Sequence, residues 1–144
     1  MHGSRVRQKR GDQPRGRITA SIALALAFLL LAPSCALYRL SAHVDLRLVL
    51  GYSALISVVT YVLYARDKGK AEAAQWRTPE STLHFAEVLG GWPGAYLAQR
   101  KLRHKISKVS YLAVFWLIVL LYQLLAVDFL LDWQLSRRAW QLFA

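Results

Sequence analysis

The chain has 144 residues, of which 56% are hydrophobic and five are tryptophan, and its 19 Lys+Arg against 8 Asp+Glu give a formal net charge of +11. That composition lies outside the ordinary soluble range and in the membrane class. The apolar runs leave too little chain for an independent soluble domain, and the lone Cys35 excludes an intrachain disulfide.

Residues 1–17 form a basic leader in which Arg5, Arg7, Lys9, Arg10, Arg15 and Arg17 face only Asp12. Basic residues flanking an apolar run mark the cytoplasmic side, so the N-terminus is expected there, and each base near the surface adds about 1 kcal/mol of attraction to anionic lipid. The leader has almost no aromatics among its bases, so direct nucleic-acid binding is not expected.

Residues 18–40 read as the first transmembrane helix, because the run from Ile18 to Tyr38 is uncharged and near the ~20 residues needed to cross about 30 Å of hydrocarbon. Ser34-Cys35-Ala36 resembles a signal-peptide cleavage site, but a retained anchor is the favoured reading. A short outer turn, Ser41 to Asp45, starts the return, with Arg39 and Arg47 snorkelling at that edge. Residues 46–64 form the second span and deliver the chain back to the cytoplasm. Backbone groups in lipid must be satisfied within the segment, which makes helices the only form for such runs.

Residues 65–108 are expected to be a cytoplasmic loop containing a re-entrant or interfacial helical hairpin. If Leu83 to Gln99 crossed the bilayer, Arg100, Lys101, Arg103, Lys105 and Lys108 would lie outside, against the positive-inside rule. The stretch also carries His84 and Glu87 and is broken by Gly90-Gly91-Trp92-Pro93-Gly94, the expected turn. Thr78 is expected to cap the first arm, with Pro79 and Glu80 in its first turn. Pro93 opens the second arm, which is expected to carry Tyr96, Gln99, Arg100, Arg103 and His104 back to the surface. Residues 109–131 form the third span, with Tyr111, Trp116 and Tyr122 as belt residues, and residues 132–144 a surface-lying tail with Trp133, Trp140, Phe143, Arg137 and Arg138. The fold class is therefore all-α: a polytopic membrane protein with three transmembrane helices and a helical hairpin.

Candidate chemistry concentrates between the second and third spans. Arg100, Arg103, His104, Lys105 and Lys108 form a basic cluster suited to an anionic lipid headgroup or a phosphorylated ligand, or serving only as a topology signal. Asp67, Lys68, Arg77 and Glu80 interleave both signs, fitting either salt bridges or an acid–base set in which Asp67, Glu80 and His104 are the candidates. His84 and Glu87, three apart on a helix, can present two metal ligands on one face, but without a second such pair no metal and no cofactor is expected, and His84 is placed at the interface. The serines lack a base motif, and no nucleotide-binding or hydrolase signature is present.

In order along the chain stand Tyr64-Ala65-Arg66-Asp67-Lys68, Trp76-Arg77-Thr78-Pro79-Glu80, Leu83, Gly90-Gly91-Trp92-Pro93-Gly94, Gln99, and Arg103-His104-Lys105 with Lys108. This pattern resembles the small bacterial membrane family known as domain of unknown function 1294, over about Leu48 to Leu131. The resemblance makes Asp67, Lys68, Trp76, Arg77, Pro79, Gly90, Gly91, Trp92, Pro93 and Gly94 a structural motif, and implies a bacterial inner-membrane location without assigning an activity. Some members carry an N-terminal cold-shock domain; the leader here lacks its aromatic strand pattern, so an RNA role does not transfer. The expected function is binding of an anionic membrane lipid or phosphorylated ligand. The alternatives are a membrane enzyme acting on a lipid-linked substrate and an adaptor with a membrane-protein partner.

Overall fold

The computed structural model describes residues 19–76, 78–103 and 108–143, and among these there are helices and no strand. Three helices are long and apolar enough to cross a membrane: α1 (Ala20–Leu40), α2 (Leu46–Glu72) and α5 (Val109–Leu130). The all-α membrane class expected from the sequence is the class found. Large apolar side chains such as Leu24, Phe28, Leu55 and Leu117 stay exposed on the outer faces of these helices. Such faces suit lipid, where an outward Leu costs nothing.

α2 starts on Asp45, whose carboxylate accepts the Arg47 backbone N–H at 2.9 Å. The helix does not stop where the apolar run ends at Tyr64. Ala65, Arg66, Lys68, Lys70 and Ala71 are good helix formers without an intervening proline, so α2 carries its charged end on to Glu72.

The chain then folds back along α2 in two arms. The first is α3 (Glu80–Ala86) continued by one wide π-type turn, Glu87–Gly91; the second is α4 (Trp92–Leu102). Contacts give their directions. The Thr78 N–H donates to Asp67 Oδ1 at 2.9 Å near one end of α2, and the Tyr52 hydroxyl donates to the Leu89 carbonyl at 2.9 Å near the other. Gly94 then lies on Ser57, and the Lys68 ammonium donates to the Leu102 carbonyl at 2.9 Å. The first arm is thus antiparallel to α2 and the second parallel to it, and both open at the Asp67–Lys68 end.

Gly90 makes the reversal, with φ of 106°, where an L side chain would be strained. The kink exposes backbone carbonyls, and two tyrosines cover them: Tyr52 bonds Leu89, and the Tyr122 hydroxyl donates to the Val88 carbonyl at 2.6 Å. Irregular backbone among apolar helices is tolerated when neighbouring side chains satisfy it in this way. α4 then lies almost touching α2, since a Cβ on Gly94 would stand 1.9 Å from the Ser57 carbonyl oxygen.

Three local expectations change. Pro79, not Thr78, occupies the N-cap position of α3, because the Thr78 N–H is drawn to Asp67. Tyr96 and Gln99 face the core rather than the surface. Tyr111 and Tyr122 are not belt residues: the first is 1% exposed in the core and the second holds the turn.

α5 runs parallel to α1. Gln123 donates to the Leu29 carbonyl at 2.7 Å, and further along Arg39 donates to the Leu130 carbonyl at 2.8 Å and pairs with Asp132 at 2.5 Å. Positive φ at Asp132 and Trp133 turns the chain into α6 (Gln134–Phe143). Asp128 anchors its start by accepting the Leu135 N–H at 2.9 Å and the Ser136 hydroxyl.

Candidate functional site

Two of the fully buried polar side chains, Glu87 and Gln99, converge on the Tyr64 hydroxyl between α2, the two arms and α5. Glu87 is 0% exposed in the π-type turn. Its Oε1 accepts hydrogen bonds from the hydroxyls of Tyr64 on α2 and, at 3.1 Å, Tyr111 on α5. The two hydroxyls lie 2.5 Å apart, and Gln99 Nε2 on α4 donates to Tyr64 at 3.1 Å. His84 Nδ1 lies 2.7 Å from the other carboxylate oxygen, Oε2. Its ring is stacked on Tyr111 at 4.2 Å between centroids and 27° between planes. α2, both arms of the fold-back and α5 therefore all contribute to the network, which ties them together.

Helix periodicity explains the placement. His84 and Glu87 are three apart, so both point inward from the first arm, and Tyr64 is one turn beyond Thr60 on the α2 face that receives α4. A buried carboxyl in apolar surroundings is costly unless hydrogen-bonded, and Glu87 is bonded at both oxygens. One atom of the network is unmatched: Gln99 Oε1 is buried without a hydrogen-bond partner.

The basic cluster resolves into residues with internal duties and residues turned outward. Lys68 bonds the end of α4 and lies 3.5 Å from Glu72, and Lys108 pairs with Glu80 at 2.7 Å. By contrast, the Arg100 guanidinium lies over the Tyr96 ring at 4.3 Å and the Lys101 ammonium over Tyr61 at 5.8 Å. Arg103, exposed, ends α4 in a left-handed conformation with φ of 49°. His104, Lys105 and Arg77 lie outside the described residues.

Of the acid–base candidates, Asp67 is 0% exposed and holds the Thr78 backbone, while Glu80 is engaged by Lys108. Trp76 is 91% exposed, whereas Trp92 is buried beside Tyr122. Among the described residues no group of three or more His, Cys, Asp or Glu side chains could hold a metal ion.

By sequence alone His84 is placed at the interface and Glu87 counts against a spanning segment. The structure joins them in the core. Their spacing was the available signal; what it lacked was Tyr64 and Tyr111, which lie far along the chain and only topology brings near.

All members of this network fall between Tyr64 and Tyr111. Residues 57–111 match the family model DUF1294, a protein of unknown function. The DUF1294 match is narrower than the stretch from Leu48 to Leu131, and it contains the whole fold-back, Gly90 to Gly94 and the complete Glu87 network. α1 and α6 lie outside it. Neither the curated proteins nor the solved structures give a match to the chain.

Proposed function

We propose that this multi-pass protein of the bacterial inner membrane binds an anionic lipid headgroup or phosphorylated ligand at a basic collar around the cytoplasmic end of α4. In this reading the fold-back re-enters the bilayer from the cytoplasmic side, and Arg100, Lys101 and Arg103 meet the headgroup. The supporting observation is the division of the cations. Lys68 and Lys108 are spent on the fold, while Arg100 and Lys101 lie across aromatic rings with no acid paired to them among the described residues. Stacked side chains keep a cation oriented at the membrane edge without neutralising it.

Native mass spectrometry of the purified protein tests this, with phosphatidylglycerol and phosphatidylcholine as probes. The wild type should retain phosphatidylglycerol preferentially. Arg100→Gln, Lys101→Gln and Arg103→Gln combined should weaken that retention about tenfold or more, given about 1 kcal/mol per basic residue near the surface. Equal retention of both lipids, or unchanged retention by the triple variant, would remove the collar as the binding site.

A further inference from the structure

We propose that His84 is an acid–base centre, positioned by the buried Glu87, that accepts at Nε2 a proton from a hydroxyl group reaching the partly exposed edge of its ring. The proposal starts from the two ends of the network. At the inner end Gln99 Oε1 is an acceptor without a donor. At the outer end His84 uses Nδ1 on Glu87, keeps 17% of its side chain exposed, and has no bond to Nε2 among the described residues.

Geometry sets the state of the ring. A carboxylate oxygen 2.7 Å from Nδ1 holds the proton on that nitrogen and leaves the Nε2 lone pair free. Stacking on Tyr111 at 4.2 Å keeps the ring from turning away, and the Tyr64 and Tyr111 hydroxyls fix the carboxylate from behind. Such pairing of an imidazole with a buried, hydrogen-bonded acid is the arrangement that general bases use. In the step itself the proton of a hydroxyl passes to Nε2, the O–H electron pair stays on the substrate oxygen, and the positive charge gained by the ring is matched by Glu87. The proton can then return to the same or a neighbouring oxygen.

Glu80, one turn before His84, and Lys108, one turn before Tyr111, pair between α3 and the start of α5 at 2.7 Å. The collar of Arg100 and Arg103 begins one residue beyond Gln99 on α4. The substrate class that fits both is an anionic amphiphile carrying a free hydroxyl. That class rests on the headgroup reading above, whereas the acid–base role of His84 does not.

The test uses the full-length protein in lipid nanodiscs with 15N-labelled histidine. The His84 ring signals are assigned through His84→Asn. The expected result is a proton on Nδ1 and a bare Nε2 in the wild type, a mixed tautomer in Glu87→Gln, and recovery in Glu87→Asp. In parallel, diethylpyrocarbonate modification of His84 is followed by peptide mass spectrometry, with the exposed His43 as reference. Glu87→Gln should slow modification of His84 relative to His43, because the ring loses the acceptor that keeps the proton on Nδ1 and Nε2 bare. A proton on Nε2, a tautomer indifferent to Glu87→Gln, or a His84 that the reagent never reaches would each overturn the proposal. The Arg100, Lys101 and Arg103 variants should leave both readouts unchanged, so loss of headgroup binding and loss of the acid–base centre are read separately.

Discussion

Tyr64, 0% exposed, shows how much one buried hydroxyl can carry. It donates to Glu87, accepts from Gln99 and meets Tyr111, so that α2, both arms of the fold-back and α5 are joined through one oxygen. Tyr64→Phe keeps the ring and deletes that oxygen, leaving a buried amide donor unmatched and a carboxylate with one donor fewer. The expected cost is about 2 kcal/mol, within the range for unsatisfied buried groups, read as a lower midpoint of unfolding in mixed micelles. Tyr38→Phe, at a position 79% exposed, should leave the midpoint unchanged. Gly94 is the steric counterpart. A methyl group there meets backbone rather than a movable side chain, so Gly94→Ala forces α4 away from α2 and should cost about 3 kcal/mol.

The fold-back is held by small residues on one side and by tyrosine hydroxyls at its tip. Replacing Tyr52 and Tyr122 together by Phe leaves the Leu89 and Val88 carbonyls uncovered while preserving the rings. Side-chain hydrogen bonds in membrane proteins average about 0.6 kcal/mol, so the double variant should remain folded but exchange its amide protons faster across residues 88–92 than wild type does. Equal exchange would mean that the tip is held by packing alone. The existence of this element could be read from Gly90-Gly91-Trp92-Pro93-Gly94 and from the charges on both sides of it, because glycine, proline and lysine act locally. The inward face of its arms could not. Tyr96 and Gln99 sit among bases in the sequence and read as surface, yet the same helix turns them toward α2 and Tyr64. Periodicity says which residues share a face; only the partner helix says which face is inside. Glu87 escaped for the same reason, since its cost is offset by Tyr64 and Tyr111 from other helices.

At the scale of the molecule, direction decides what the fold-back is. α1 and α5 are parallel and α2 opposes them, so the Arg39–Asp132 pair marks one end of the bundle, and Lys68, Arg100, Lys101, Arg103 and Lys108 mark the other. Both arms of the fold-back open at that second end, which leaves α5 to start where α2 finished. If the basic end is cytoplasmic, the side that lysine and arginine bias favours, a fourth crossing between α2 and α5 has no place. Single cysteines in a full-length Cys35→Ser background test this with an impermeant maleimide applied to intact cells. Ser41→Cys and Leu142→Cys should be labelled. Gln75→Cys and Lys101→Cys should be protected until the cells are opened. Val88→Cys reports depth: it is 51% exposed near the tip, and if the tip is immersed in lipid it should stay unlabelled before and after lysis and react only in detergent. Labelling of Lys101→Cys from outside, with Gln75→Cys still protected, would mean that the chain crosses between them.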